Sequence, residues 1–215
     1  MCIRDSDWIK HQFGVQGVRT VYELRGQCCY GLEENPATKK GITVSRGFGR
    51  PITELVPLQE ATALYASRAG EKLRADGLAA GVMSVFVTTS RFVEKPKRYM
   101  RHCVIPFDTA TDDTQDLIAA AVSAVEQLYR AGYEYKKSGV MLGELVLRDQ
   151  VQGGLFDAKD RDRSRRLMET IDQINRTRSV GIQWAAEGLE KPWQTRFRRK
   201  TPCYTTSWTD LPQIR

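Results

Sequence analysis

Two histidines are all that this chain of 215 residues contains, and its five cysteines, at 2, 28, 29, 103 and 203, form no Cys-x-x-Cys pair. Ligands so few and so scattered exclude a structural zinc site, which needs close pairs of thiolates or imidazoles. Cys28 and Cys29 are adjacent and badly placed to bond to each other, so free thiols in a reducing compartment are expected. The chain also lacks any apolar run of the ~18 residues that a bilayer demands, and no charged-then-apolar leader opens it. A cytoplasmic protein is the expectation. Missing too are a phosphate-binding P-loop, a histidine beside a nucleophile and a poised pair of carboxylates. Asp108, Asp112 and Asp113 could suggest a metal, but carboxylates at a helix start are stabilised by the helix dipole, which explains them better. No catalytic residue and no metal ligand is assigned.

What is there is a 41% hydrophobic share, enough for one core, and a net charge of +7. That excess suits a polyanionic partner without requiring one. The first six residues, MCIRDS, fit no pattern in the rest of the chain. They are set aside as an artefact, with the natural chain expected to start further upstream. Residues 7–26 read as helical, with Gly14 and Gly17 breaking the helix and Gly26 ending it. Asn35-Pro36 and the charges around it make 27–40 a linker.

From 41 to 148 one pattern occurs twice. ITVSRGF is a strand, and Leu58, Ala61, Tyr65, Ala69 and Leu73 then stripe an amphipathic helix that ends near Gly77. VMSVFVTTS is the next strand. The order repeats with YMRHCVIPF, a helix striped by Ile118, Ala121, Val122, Val125 and Leu128 with Asp112 and Gln115 set like a capping box, and YKKSGVMLGELVL. Strand–helix–strand twice in about a hundred residues predicts an α+β, ferredoxin-like plait: a four-stranded antiparallel sheet with two helices on one face. Two helices cover one face, so the other must meet solvent or a partner.

Candidate ligands for a polyanion gather at the strand ends: Lys39, Lys40, Ser45 and Arg46, then Thr88 and Thr89, then Arg101, then Lys136 and Lys137. Hydroxyl, ammonium and guanidinium donors hold phosphate oxygens without reading bases. A solvated face with edge-guarding lysines accounts for the same residues. Gly47 and Gly49, around Phe48, either admit a phosphate to the backbone or mark a bulge. Beyond the last strand, Gln152, Leu155 and Phe156 have the spacing Q-x-x-L-F in a Gly-rich segment. Two apolar side chains there either insert into a pocket on another protein or fold back as a lid. The remainder is charged. Between 157 and 200 it carries 12 Lys and Arg against 7 Asp and Glu, with one helical stretch through Leu167, Met168, Ile171 and Ile174.

TVYELRG at 20–26, TKKGITVSRGFG at 38–49, YASRAGEKLR at 65–74, AGYEYKKSGVMLGEL at 131–145 and QGGLFD at 152–157 together resemble the UmuC-like Y-family translesion DNA polymerases, the family of the catalytic subunit of DNA polymerase V. PCYTTSWTDLP near the end resembles the family's closing block, with Cys203 where arginine is usual. The resemblance implies the C-terminal part of such an enzyme, which copies damaged DNA in the SOS response. Residues 7–26 would end the thumb, 27–40 would be the tether, and 41–148 the little finger that grips primer–template phosphates. Residues 149–157 would be the peptide that docks on the sliding clamp through Gln152, Leu155 and Phe156, and 158–215 a C-terminal extension. Palm and fingers match nothing here, so this chain alone would not polymerise DNA. No cofactor is expected in it, and magnesium would belong to the palm. UmuD′ and RecA are partners by the same resemblance. Two other readings are an RNA-binding plait using Phe86 and Tyr99 in the central strands, and a protein-interaction module with no nucleic-acid role.

Overall fold

Residues 3–32, 38–92, 98–154, 160–177, 181–195, 201–205 and 208–211 are described by a computed structural model. The chain divides into two compact units, 1–38 and 39–215. The first is built on helix α1, Ile3–Leu24, which therefore starts within the six residues set aside as foreign. Gly14 breaks it as expected, with φ 66° and ψ −163°, a conformation that other residues resist, whereas Gly17 stays helical. The chain after the helix folds back along it. Cys29 N–H donates to Glu23 (2.6 Å), and the Tyr30 hydroxyl accepts from Arg19 (2.7 Å).

The second unit contains strand β1 (Ile42–Ile52), helix α2 (Leu55–Ala75), strands β2 (Leu78–Thr89) and β3 (Met100–Thr111), helix α3 (Thr114–Leu128), strand β4 (Tyr135–Leu147) and helix α4 (Arg161–Thr177). All strand pairs are antiparallel and the sheet order is β1-β4-β2-β3. Each strand–helix–strand unit is thus split by a strand of the other, in an α+β plait with α2 and α3 on one face. The helix stripes read from the sequence are the ones that pack. Leu58, Ala61, Tyr65, Ala69 and Leu73 of α2 and Ile118, Ala121, Val125 and Leu128 of α3 are buried against Met83, Val85, Val87, Val140 and Leu142 of the sheet. The cap of α3 lies one residue later than predicted. Asp113, not Asp112, is the N-cap, and its carboxylate accepts from Gln115 N–H (2.7 Å). Asp112 is drawn off to pair with Arg148 (2.8 Å).

The segment beyond β4 belongs to this unit. Helix α4 buries Met168 and Ile171 and presents Asp172 to Arg74 of α2 in a two-pronged pair, Nε–Oδ2 2.7 Å and Nη2–Oδ1 2.8 Å. The same guanidinium donates to the Asp112 carbonyl (2.7 Å) and to Thr114 Oγ1 (2.8 Å), so one side chain joins α2, α3 and α4. Ser164 hydrogen-bonds the Asp113 carboxylate at the start of α3. Further on, Trp193 is buried edge-on against Phe48 of β1 and Tyr65 of α2. Its carbonyl accepts from Gly49 N–H (2.9 Å), and Thr195 donates to the Gly47 carbonyl (3.2 Å). The Gly-x-Gly of β1 therefore serves this docking: a Cβ on Gly49 would come 2.9 Å from the Gln194 carbonyl oxygen.

Two substitutions test these packing arguments. Asp172→Ala strands a guanidinium whose side chain is 4% exposed and should cost about 3 kcal/mol in urea unfolding; replacing Arg74 and Asp172 together by Met and Leu should recover most of it. Gly139→Ala puts a Cβ 2.6 Å from Phe86 Cζ and against Ser45 Cβ, and overpacking of this kind should cost ~1–3 kcal/mol by the same measurement.

Candidate nucleic-acid interface

Side chains alternate across a strand, so strand register assigns every residue to a face. Pairs such as Ile42↔Leu142, Val44↔Val140, Met83↔Leu142 and Val85↔Cys103 look toward the helices. The intervening pairs define the other face: Thr43↔Met141, Ser45↔Gly139 and Gly47↔Lys137 on the β1 side. Across the middle run Ser84↔Met141, Phe86↔Gly139 and Thr88↔Lys137. Toward β3 come Ser84↔Val104, Phe86↔His102 and Thr88↔Met100.

This open face is made of glycine, hydroxyls and a few apolar side chains. Met100, Val104 and Met141 are exposed on it. Gly139 is obligatory, because the Phe86 ring and Ser45 lie over it. The Lys137 ammonium sits 5.7 Å above the Phe86 ring, a cation–π contact that holds charge over the two inner strands. Thr43, Ser45, Ser84 and Thr88 place hydroxyls on the same face, and exposed Gly47 carries no side chain to screen its backbone.

The nine residues expected to meet a polyanion divide by strand parity. Ser45, Thr88 and Lys137 share the open face. Lys40 is exposed just before β1, and Lys39, also at that end, pairs with Asp76 (2.7 Å). Lys136 is exposed and its ammonium donates to the Phe48 carbonyl (3.0 Å). The other three point the opposite way. Arg46 is registered with buried Ser138 and looks toward α2. Arg101 is registered with Val87, on the α3 side of the sheet edge. Thr89 is buried, and its hydroxyl both donates to the Tyr99 carbonyl and accepts from the Tyr99 N–H, which leaves it nothing to offer a ligand. The alternation Ile42-Val44-Arg46-Phe48 carried this information, as did Val85-Val87-Thr89. Grouping residues by nearness to strand ends obscured it.

Tyr99, counted among possible base-stacking aromatics, is also buried. It lies just before edge strand β3, packs on the Tyr133 and Tyr135 rings and donates to the Leu128 carbonyl (2.9 Å). Phe86 remains the one aromatic of that pair on the open face. Gln152 is exposed, close after the turn Arg148–Gln150, while Leu155 and Phe156 lie outside the described residues. The stem before them is fixed. Arg148 N–H donates to the Gly77 carbonyl (3.0 Å), and its guanidinium pairs with Asp112 and Glu169. Among the described residues no helix is long and apolar enough to cross a membrane, and no three His, Cys, Asp or Glu side chains gather as a metal site.

Comparison with known proteins gives this geometry its setting. The family model described as the impB/mucB/samB family C-terminal domain matches residues 39–155. A second, described only as a domain of unknown function, matches 165–214. Protein ImpB of Salmonella typhimurium is 38% identical over 212 residues, covering 98% of this chain and 50% of that protein. Protein UmuC of the same species is 36% identical over 213 residues, 98% of this chain and 50% of its own length. Protein MucB of Escherichia coli is 37% identical over 209 residues, 97% and 49% respectively. The chain spans about half the length of the curated relatives it matches. It belongs to the impB/mucB/samB family, and corresponds to the C-terminal part of the UmuC-like proteins.

Proposed function

We propose that this chain is the DNA-gripping and clamp-docking part of a UmuC-like Y-family translesion polymerase. Its open sheet face lies along primer–template DNA and holds the phosphate backbone without reading sequence. The observation that carries this reading is the makeup of that face. Hydroxyls, the exposed backbone at Gly47 and the Lys137 ammonium over the Phe86 ring form a surface that a sugar–phosphate chain can approach closely. The open-face pairs given above include no Arg, Asn or Gln to read base edges as a fork; phosphate contacts position, whereas base contacts specify. The net charge of +7 supplies long-range attraction. Lys40 and Lys136 stand at the strand ends.

In this reading the peptide with Gln152, Leu155 and Phe156 docks on the sliding clamp. It comes directly after the stem anchored by Arg148, which gives the docking peptide a firm base beside the DNA-holding sheet. Synthesis past lesions, UmuD′ and RecA belong to the whole polymerase. The chain's share is to hold the substrate and bring the clamp.

Binding of the whole chain to primed DNA should weaken steeply with salt, by orders of magnitude between about 50 and 200 mM, and alike for unrelated sequences. Lys137→Ala should lower the slope of log affinity against log salt by about one and weaken all sequences equally. Equal affinity at both salt concentrations would remove the proposal's basis. Leu155→Ala with Phe156→Ala should abolish clamp capture and leave DNA affinity unchanged; clamp capture that survives would make the segment a lid.

A further inference from the structure

In one row across β1, β4 and β2 of the open face, Ser45, Gly139 and Phe86 stand side by side; in the adjacent row Gly47, Lys137 and Thr88 do. The Phe86 ring does not stand upright over its own strand. A Cβ on Gly139 would lie 2.6 Å from Phe86 Cζ and 2.7 Å from Cε1, so the far edge of the ring leans from β2 onto β4. Lys137 leaves β4 two residues from Gly139, on the same face, and its ammonium lies over that ring, 5.7 Å from its centre. Phe86 and Lys137 are both half-buried. None of the open-face pairs given above includes a carboxylate. The difference matters for a ligand. An acid would cancel the charge of the ammonium, whereas a neutral ring holds it through its quadrupole and leaves it positive. A lysine side chain left to itself samples many rotamers and loses that freedom when it settles on an anion. A ring that gathers it beforehand removes part of the loss.

We propose that Phe86 is a positioning residue. Its ring, laid down in the space that Gly139 leaves free, holds the Lys137 ammonium where a backbone phosphate of the bound DNA meets it, and does not itself stack on a base. A base that stacked there would compete with the ammonium for the ring. The open face then uses its aromatic to present charge, which suits contact with backbone and not with sequence. This inference rests on the open-face reading given above and names the residue through which Lys137 acts.

The test measures the affinity of the full chain for primed DNA with pentafluorophenylalanine at position 86. That residue nearly keeps the shape of the ring and turns its face from attractive to repulsive for a cation. Affinity should fall about two- to fivefold, the worth of an exposed cation–π contact, and alike for unrelated sequences. In a Lys137→Ala background the same exchange should change nothing, because the ring then has no ammonium to hold. A loss of the same size in that background, or one confined to single-stranded DNA, would mean that the ring meets a base, and overturns the proposal. Unchanged affinity, where Lys137→Ala does weaken binding, overturns it as well. A readout without DNA checks the contact itself. The Lys137 ε-methylene protons should lie upfield in the free chain, shielded by the ring, and move back in Phe86→Leu; no upfield shift means no contact. A Lys137→Ala chain with unchanged affinity and salt slope would defeat the open-face reading, and the phosphate role of Lys137 with it, while the upfield shift still stood, so the two failures are separable.

Discussion

The buried Arg74 guanidinium is the junction on which the second unit turns. It engages Asp172 of α4, the Asp112 carbonyl and Thr114 at the start of α3, all from α2. A charge removed from water is tolerable only when its hydrogen bonds are met, and a partner lost leaves a penalty of several kcal/mol. This requirement draws α4 to the helix layer. With Trp193 seated against Tyr65 and Phe48, the described part of the extension adds to the face that α2 and α3 already occupy. The sheet keeps its other side uncovered by these elements.

That exposed side is held by small residues. Gly139 is crowded by Phe86 and Ser45, and Gly143 is crowded by Val82. Such close packing keeps the face low, with the Lys137 charge resting on the Phe86 ring. The electrostatic character expected from the strand-end cations is therefore redistributed. One ammonium lies over the Phe86 ring on the inner strands, others stand at the strand ends, and Arg46 is on the reverse side with Arg68.

Periodicity made much of this legible. The stripes of α2 and α3 and the repeated strand–helix–strand order come directly from the spacing of apolar residues, because burial of one helix face is what selects that spacing. The α3 cap slipped by one residue, since Asp112 and Asp113 are chemically equivalent in sequence and only the contact with Arg148 separates them. Strand parity, present in the sequence, would have put Arg46, Thr89 and Arg101 on the inner face. The pairing of Arg74 with Asp172, 98 positions apart, left no local trace. Neither did the meeting of Trp193 with β1, because contacts of such range depend on the completed fold and not on any repeat in the chain.

The contact between 193–195 and β1 bears on solubility. Strand β1 forms one border of the sheet, and a border strand offers main-chain donors and acceptors to any passing chain. Gly49 N–H and the Gly47 carbonyl are already engaged by Trp193 and Thr195. The extension thereby shields the rim of the sheet from strand addition, and a shortened product that kept the plait but lost this segment would be prone to self-association.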